Sequence, residues 1–235
     1  MNIRLFKFED EFNELTNLYQ KDNLPKVLML SGEKGQGKST LIFHLMSFII
    51  DKNNYSKLNR SLKASNKLHG GIKENLIPNV IYLSGEDKSI KIEKIRDLKS
   101  ELQKTTLDNK PRYIILDDVE LINKNCINAL LKILEEPTVI NYFILINNKT
   151  RPIIDTIKSR CIEKKIFLNI SQRKEIILNL INQYNIDTKI DYESLHLTPG
   201  LFFIFNDICN EANISIDDDL IDNTNMILKL FKVKK

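Results

Sequence analysis

The sequence predicts an α/β fold with a five-stranded parallel sheet, followed by a small all-helical region. Its strand candidates are five short apolar runs: VLML at 27–30, VIYL at 80–83, YIIL at 113–116, YFILI at 142–146 and KIFL at 165–168. Because each run is continuously apolar rather than alternating, we expect helices on both faces of the sheet. Strand signals end after about residue 168. We therefore expect an α/β domain over residues 1–168 and a helical domain over residues 169–235.

Helical periodicity marks the segments between and after these strands. In the expected α/β domain it covers residues 95–102 and 127–134. Pro137 ends the second of these helices, because proline cannot continue the backbone hydrogen bonds of a helix. In the expected helical domain it covers residues 177–184, the stretch after Pro199 and Gly200, and residues 218–233. This alternation of strand and helix, followed by helices alone, supports the two-domain division.

Composition excludes several classes of protein. With 42% hydrophobic and 28% charged residues, the chain of 235 residues can bury a core and is not expected to be disordered. Cys126, Cys161 and Cys209 lie far apart without a CxxC pair, so neither a disulfide framework nor a zinc module is expected, and we expect buried thiols. The start lacks an apolar signal region, and no run of about 18 apolar residues occurs. We expect a cytoplasmic protein without a membrane segment.

The positive charge is concentrated in one segment. The chain carries a net charge of +4, and residues 51–75 hold six basic residues against two acidic ones, an excess equal to that of the whole chain. A solvated, partly mobile loop is one interpretation of this segment. A patch that contacts nucleic-acid phosphates is the other.

A phosphate-binding loop follows the first apolar run. GEKGQGKS at 32–39 matches GxxxxGK[ST], and an apolar segment with helical character continues it. Glycines let backbone N–H groups turn toward phosphate oxygens, while Lys38 reaches the β and γ phosphates and Ser39 coordinates Mg²⁺. We therefore expect ATP and Mg²⁺ as ligands. The nucleotide-binding residues expected are Gly32, Gly35, Gly37, Lys38, Ser39 and Thr40.

Polar residues end two of the apolar runs. Asp117 and Asp118 follow YIIL, and Asp117 is the second candidate for the Mg²⁺ site. Asp118 stands where many ATPases have a glutamate that orients the attacking water, and both aspartates could instead cap the next helix. Asn147 and Asn148 follow YFILI, and either amide could sense the γ-phosphate or simply form a turn.

The segment from Tyr113 to Cys161 resembles the AAA+ ATPase core of clamp-loader subunits. The resemblance covers most of residues 25–168, and it is greatest to the delta-prime type of subunit of the bacterial DNA polymerase III clamp loader, because of the Asp117-Asp118 pair and the absence of the zinc-binding cysteines usual in gamma subunits. The pieces that carry it are NALLK at 128–132, LEEP at 134–137, FIL at 143–145, TI at 156–157 and SRC at 159–161.

The resemblance implies a role for Arg160. In subunits with the SRC motif this arginine reaches across an interface to the ATP of a neighbouring subunit, and a permanently charged planar guanidinium suits that task. An ion-paired surface arginine is the alternative. The partners implied are gamma/tau and delta-type subunits, the sliding clamp reached through the complex, and the backbone of primed DNA. The catalytic candidates are thus Arg160, Asp118 and one of Asn147 and Asn148.

The sequence departs from active clamp-loader ATPases in the helical lid. A motif resembling GSPGRA carries an arginine there, whereas residues 197–202 read LTPGLF, so the arginine is missing. The chain also ends near the point where family members begin a helical collar, so we expect either that the collar is absent or abbreviated or that the terminal helices start elsewhere than placed here. Whether the chain itself hydrolyses ATP is left open.

Three functions are compatible with these features. The first is a clamp-loader subunit of delta-prime type that binds ATP and supplies Arg160 to a neighbour. The second is a self-sufficient AAA+ ATPase such as a helicase loader, and the third is a nucleotide-binding interaction module without hydrolysis. The SRC segment at 159–161 argues against the third.

Overall fold

The computed structural model describes residues 4–62, 68–85, 90, 92–106, 109–192 and 196–212. The chain forms two compact units. The first consists of Met1–Glu33 and Lys38–Ile166, and the second of Lys34–Gly37 and the residues from Phe167 onward. The helix predicted at 218–233 lies outside the described residues.

A five-stranded parallel sheet forms the centre of the first unit. Its strands stand in the order β4-β5-β6-β1-β7, and all neighbouring strands run parallel. Four of the five predicted strands are found where the apolar runs place them. The strands are β1 (Val27–Ser31), β4 (Val80–Ser84), β5 (Arg112–Asp117), β6 (Asn141–Asn147) and β7 (Ile162–Lys165).

The position predicted for the last strand was wrong. β7 ends at Lys165, where the apolar run KIFL begins. This strand lies at the edge of the sheet and its side chains are largely exposed, so no apolar run marks it. The buried residues Ile166 and Leu168 follow the strand, and their burial rather than strand structure explains the run.

Helices cover the sheet of the first unit. The helix α4 and the helix α5 pack together over one apolar core cluster that includes Ile95, Leu130 and Phe143. Burial of such a cluster is the main favourable contribution to folding. The helices of this unit are α1 (Glu9–Gln20), α2 (Lys38–Ile50), α3 (Leu68–Lys73), α4 (Ile92–Leu102), α5 (Lys124–Glu135) and α6 (Asp155–Lys158).

The basic segment at 51–75 is not simply a solvated loop, and that expectation was wrong for its described part. Two short antiparallel strands, β2 (Tyr55–Ser56) and β3 (Ser61–Leu62), lie in it, and α3 follows. Tyr55 is buried, with its ring centroid 5.6 Å from that of Phe12. Aromatic burial therefore anchors part of this segment, and its role as a patch that contacts nucleic-acid phosphates stays a prediction.

The second unit contains α7 (Ile170–Tyr184) and α8 (Pro199–Ala212). A capping box begins α7, in which the Asn169 side chain accepts from the Gln172 N–H and the Gln172 side chain accepts from the Asn169 N–H. This cap explains why α7 begins seven residues before its apolar pattern predicts. Within the described ranges, no helix combines the length and apolar character needed to cross a membrane.

Candidate nucleotide site

Two polar side chains of the predicted Mg²⁺ site are in direct contact. Asp117 ends β5, and Ser39 lies in the first turn of α2, directly after the phosphate loop. The Ser39 hydroxyl donates to Asp117 Oδ2 at 2.8 Å. A hydroxyl and a carboxylate oxygen are ligands that Mg²⁺ accepts, so these two groups fit the ion. Thr40 follows in the same turn and is half-buried.

Lys38 is almost completely buried. The residue is only 2% exposed. Its ammonium donates to the carbonyl oxygens of Gly32 at 2.8 Å and Glu33 at 2.7 Å. Burial lowers the pKa of Lys38 to about 8, although the negative charge of Asp117 and other nearby carboxylates opposes that change. The loop thus holds a desolvated cation, which an anionic phosphate group would complement.

Asp117 accepts hydrogen bonds from several directions. Tyr82 Oη donates to Oδ2 at 3.0 Å, Asn148 Nδ2 donates to Oδ1 at 3.2 Å, and the Asp118 N–H donates to Oδ1 at 2.9 Å. Burial is the largest influence on this carboxyl and raises its pKa, while the hydrogen bonds from Ser39 and Tyr82 act in the opposite direction. The contact between Tyr82 and Asp117 was not predicted from the sequence. The one indication of it there is a hydroxyl-bearing side chain within the apolar run VIYL.

The two candidate asparagines have different surroundings. Asn148 Nδ2 donates to Asp118 Oδ1 at 2.8 Å as well as to Asp117, so its amide lies against both carboxylates. Asn147 Oδ1 accepts from the Lys149 N–H at 3.0 Å, which is the turn geometry considered as the alternative. Asp118 begins a short 3₁₀ helix, but its side chain makes no capping hydrogen bond there.

Glu120 is a second residue that the sequence analysis missed. It is 7% exposed and accepts from the Asn148 N–H at 3.1 Å and from the Thr150 hydroxyl at 2.8 Å. These bonds fasten the turn after β6, and therefore fix the position of the Asn148 amide. The signal available in the sequence was a carboxylate three residues after Asp117.

The tip of the phosphate loop belongs to the second unit and contacts the start of α8. Thr198 Oγ1 donates to the Lys34 carbonyl oxygen at 2.7 Å, and the Gly200 N–H donates to the Gly35 carbonyl oxygen at 2.8 Å. Gly35 has a φ of +83°, and a Cβ atom added at Gly200 would lie 2.7 Å from the Gly35 Cα. Glycine is therefore required at both positions of this contact.

Arg160 forms an ion pair within the chain. Its Nε donates to Glu135 Oε1 at 3.1 Å, Nη2 pairs with the same oxygen, and Nη1 donates to the Thr156 carbonyl at 2.8 Å. The arginine side chain is 30% exposed, so the pair lies at the surface of the first unit. Arg160 and Glu135 thus join the SRC and LEEP segments, and the role of Glu135 was not anticipated from the sequence.

Comparison with known families decides the relationship of the chain. The family described as "DNA polymerase III, delta subunit" matches residues 8–168. The chain belongs to this family. It is 26% identical over 219 residues to the DNA polymerase III subunit delta' of Bacillus subtilis, covering 93% of this chain and 62% of that protein. It is 34% identical to the delta' subunit of Pseudomonas aeruginosa over 37% of this chain and 27% of that protein. The chain thus spans less than two thirds of these relatives' length.

Solved structures show the same fold. A gamma subunit-related protein of DNA polymerase III from Thermotoga maritima matches with a TM-score of 0.50 and 20% identity, over 73% of this chain and 52% of that one. The RuvB Holliday junction branch migration motor of the same organism matches with a TM-score of 0.50 and 15% identity, over 96% and 67%. At these identities the likeness concerns the fold alone, and the predicted α/β fold with a five-stranded parallel sheet is confirmed.

Proposed function

We propose that the chain is a subunit of delta-prime type in a DNA polymerase III clamp loader, where it helps to load the sliding clamp onto primed DNA. The observation that carries this proposal is the family match over residues 8–168. The relatives of this chain include subunits named delta', gamma and tau, which supports gamma/tau and delta-type subunits as its partners.

Binding of ATP with Mg²⁺ is part of the proposal. Lys38 offers a buried ammonium to phosphate oxygens, and Ser39 and Asp117 offer two oxygens to the ion. Bound Mg²⁺ would neutralise negative charge on the phosphate groups. The chain's own contribution is to hold these groups in place, with Tyr82 and Asn148 fixing the orientation of the Asp117 carboxylate.

Hydrolysis by this chain is not part of the proposal. Asp118 stands where a longer glutamate orients water in many ATPases, and its carboxylate is engaged by the Asn148 amide. Leu201 occupies the position where the resemblance leads us to expect a lid arginine. Both differences favour a subunit that binds nucleotide and leaves turnover to its neighbours.

Arg160 is the residue we propose to act on a neighbour's ATP. Its guanidinium is partly exposed, and in the isolated chain Glu135 neutralises it. Exchange of this surface pair for a γ-phosphate costs little, because exposed ion pairs contribute only about 0–1 kcal/mol. In the complex the guanidinium would stabilise the charge that develops during phosphoryl transfer.

The test is Arg160→Ala in a loader reconstituted with gamma/tau and delta-type partners, sliding clamp and primed DNA. The other ATP sites are inactivated by substitution of their phosphate-loop lysines, so that the site facing Arg160 alone turns over. We expect DNA-stimulated hydrolysis there to fall about 10³-fold, as for loss of an arginine finger. Arg151→Ala, at an exposed arginine that precedes Arg160 in the chain, is the control.

Other outcomes would point to a different function. An unchanged rate in the Arg160→Ala loader would remove the finger assignment. Steady hydrolysis by the isolated chain, abolished by Lys38→Ala, would favour the self-sufficient AAA+ ATPase instead. Measuring subunit co-elution for the same variants separates loss of assembly from loss of catalysis.

A further inference from the structure

A large cavity runs along the edge strand β4, from Val80 to Ser84. Its volume is about 820 Å³, and its walls come from β4, α4, the residues after α4 and the first residue of β5. That residue is Arg112, whereas Asp117 ends the same strand. The five-residue separation corresponds to roughly 16 Å along a strand, so the cavity's arginine stands well away from the Asp117 carboxylate.

Arg112 lines this cavity and is a buried cation that has no counter-ion within the described part of the chain. The residue is 5% exposed, and its Nη2 donates to the carbonyl oxygens of Lys104 at 3.0 Å and Thr105 at 3.4 Å. Its Nη1 is buried and has no hydrogen-bond partner in the ranges that the structure describes. Among the described residues no carboxylate pairs with this guanidinium.

A buried, unpaired guanidinium is energetically unfavourable. Arginine stays protonated at any ordinary pH, so the cost of its desolvation cannot be avoided by loss of a proton. A water molecule could accept a hydrogen bond from Nη1, but it would leave the charge unneutralised. The position therefore calls for an anion.

The charges around the cavity also favour an anion. Lys73, Lys94 and Lys104 contribute to its walls, against Asp97 and Glu101. Glu101 already pairs with Lys104. With Arg112 included, the lining carries an excess of positive charge.

An added β-strand is not a suitable occupant, because the edge of β4 is already occupied. Asn75 Oδ1 accepts from the Tyr82 N–H at 2.6 Å, and Asn75 Nδ2 donates to the Tyr82 carbonyl at 3.0 Å. The Val80 N–H donates to the Ile77 carbonyl at 3.2 Å. A peptide that paired with this edge would have to displace these bonds.

We propose that this cavity binds a small molecule that carries an oxyanion group, either a phosphate ester or a carboxylate. The Arg112 guanidinium donates to that group, and the apolar side chains of Ile81, Leu83 and Leu98 contact the remainder of the ligand. The cavity volume falls in the range of roughly 300–1,000 Å³ that small-molecule sites occupy. Tyr82 both lines the cavity and donates to Asp117. The anion position at Arg112 lies at the opposite end of β5 from Asp117, so its occupation does not require ATP.

The test uses inorganic phosphate and malonate as separate probes of the full chain. Each is titrated at constant ionic strength into the Lys38→Ala variant, so that the phosphate loop no longer contributes, and thermal unfolding is followed. We expect a saturable rise in Tm of about 5 °C with at least one probe. Arg112→Met in the same background should abolish the rise, and without a probe it should unfold at a temperature equal to or above that of its parent, because it removes a buried unpaired charge.

Two further variants make the outcome decisive. Arg151→Met, at an exposed arginine outside the cavity, should keep the full response. Lys94→Glu changes an exposed side chain at the cavity wall, and it should weaken the apparent affinity for the probe about 3-fold or more even if Arg112→Met fails to fold. A response to phosphate alone or to malonate alone would identify the ligand class. No response to either probe, or an equal response in Arg112→Met or Lys94→Glu, would overturn the proposal.

Discussion

Lys38 shows how one buried side chain links the phosphate loop to the stability of the chain. Its ammonium is almost completely buried, is held by two carbonyl oxygens and lies in the field of Asp117. These contacts only partly offset the loss of water, which is why its pKa falls. Without nucleotide, the folded chain therefore carries an unfavourable charge at neutral pH.

The pH dependence of stability should reveal this charge. The pKa of Lys38 falls from 10.5 to about 8 on folding, so between these values the unfolded chain binds a proton that the folded chain has lost. Stability from this group must therefore rise as pH increases through that window. Relative to Lys38→Met, the free energy of unfolding of the nucleotide-free chain should increase by about 3 kcal/mol between pH 7.5 and 10.5. Urea unfolding at each pH measures it.

The comparison with Lys38→Met removes the contribution of other groups that titrate in this range, such as tyrosines, because both chains share them. Lys34→Met, at an exposed lysine of the same loop, serves as the matched control. Its free energy of unfolding should depend on pH in the same way as that of the native chain. Parallel pH profiles for the native chain and Lys38→Met would show that the lysine is not desolvated.

At the scale of a single element, β4 illustrates how an exposed strand edge is protected. The Asn75 side chain reproduces the two hydrogen bonds of a neighbouring strand at Tyr82, from a residue with a φ of +55°. Unpaired edges invite association with other chains, and side-chain caps of this kind prevent it.

Removing this cap should promote association. Asn75→Gly keeps the left-handed backbone accessible but removes both Asn75 side-chain bonds to the Tyr82 N–H and carbonyl, so we expect concentration-dependent oligomers in light scattering. Asn109→Gly, at another left-handed asparagine with a φ of +54°, should remain like the native chain. Equal scattering from both variants would show that the cap does not protect the edge.

The first turn of α8 makes a contact that can be measured at one amide. The first four N–H groups of a helix have no partner inside it, so protection of the Gly200 N–H reports its bond to Gly35. Thr198→Val removes the neighbouring bond to Lys34 and should loosen this contact, raising the Gly200 exchange rate about 5-fold, equivalent to about 1 kcal/mol. Amide hydrogen exchange by NMR is the measurement.

Thr198→Ser retains the hydroxyl and is the control for that experiment. It should leave Gly200 protected, since Ser can donate the same hydrogen bond. If the Gly200 N–H of Thr198→Val exchanged at the native rate, the Thr198–Lys34 and Gly200–Gly35 hydrogen bonds would be independent of each other.

At the scale of the whole molecule, the sequence predicted the layers and the loop but not their arrangement. Continuous apolar runs identified four strands, because β1, β5 and β6 are buried on both faces and β4 has buried side chains on one face and partly buried ones on the other. The order β4-β5-β6-β1-β7 depends on pairing between distant segments, which no local pattern encodes. β7 was misplaced because its exposed edge position leaves no apolar signal.

The candidate site was likewise predicted only in part. The fixed spacing of residues 32–39 identified the loop, and a strand followed by an acid identified Asp117. Tyr82 reaches that carboxylate from a neighbouring strand, so its role depends on strand register. Asn147 and Asn148 could not be distinguished because the turn after β6 decides which amide faces the aspartates.

The three free cysteines also affect how the chain can be handled chemically. Burial raises the pKa of the Cys126, Cys161 and Cys209 thiols, that of Cys161 to about 12. Because the thiolate is the reactive form, all three should react slowly with maleimides at neutral pH. A cysteine introduced at an exposed position such as Leu58, which is 88% exposed, can therefore carry a fluorophore while the native thiols stay in place. Cys161, beside Arg160, would remain unmodified.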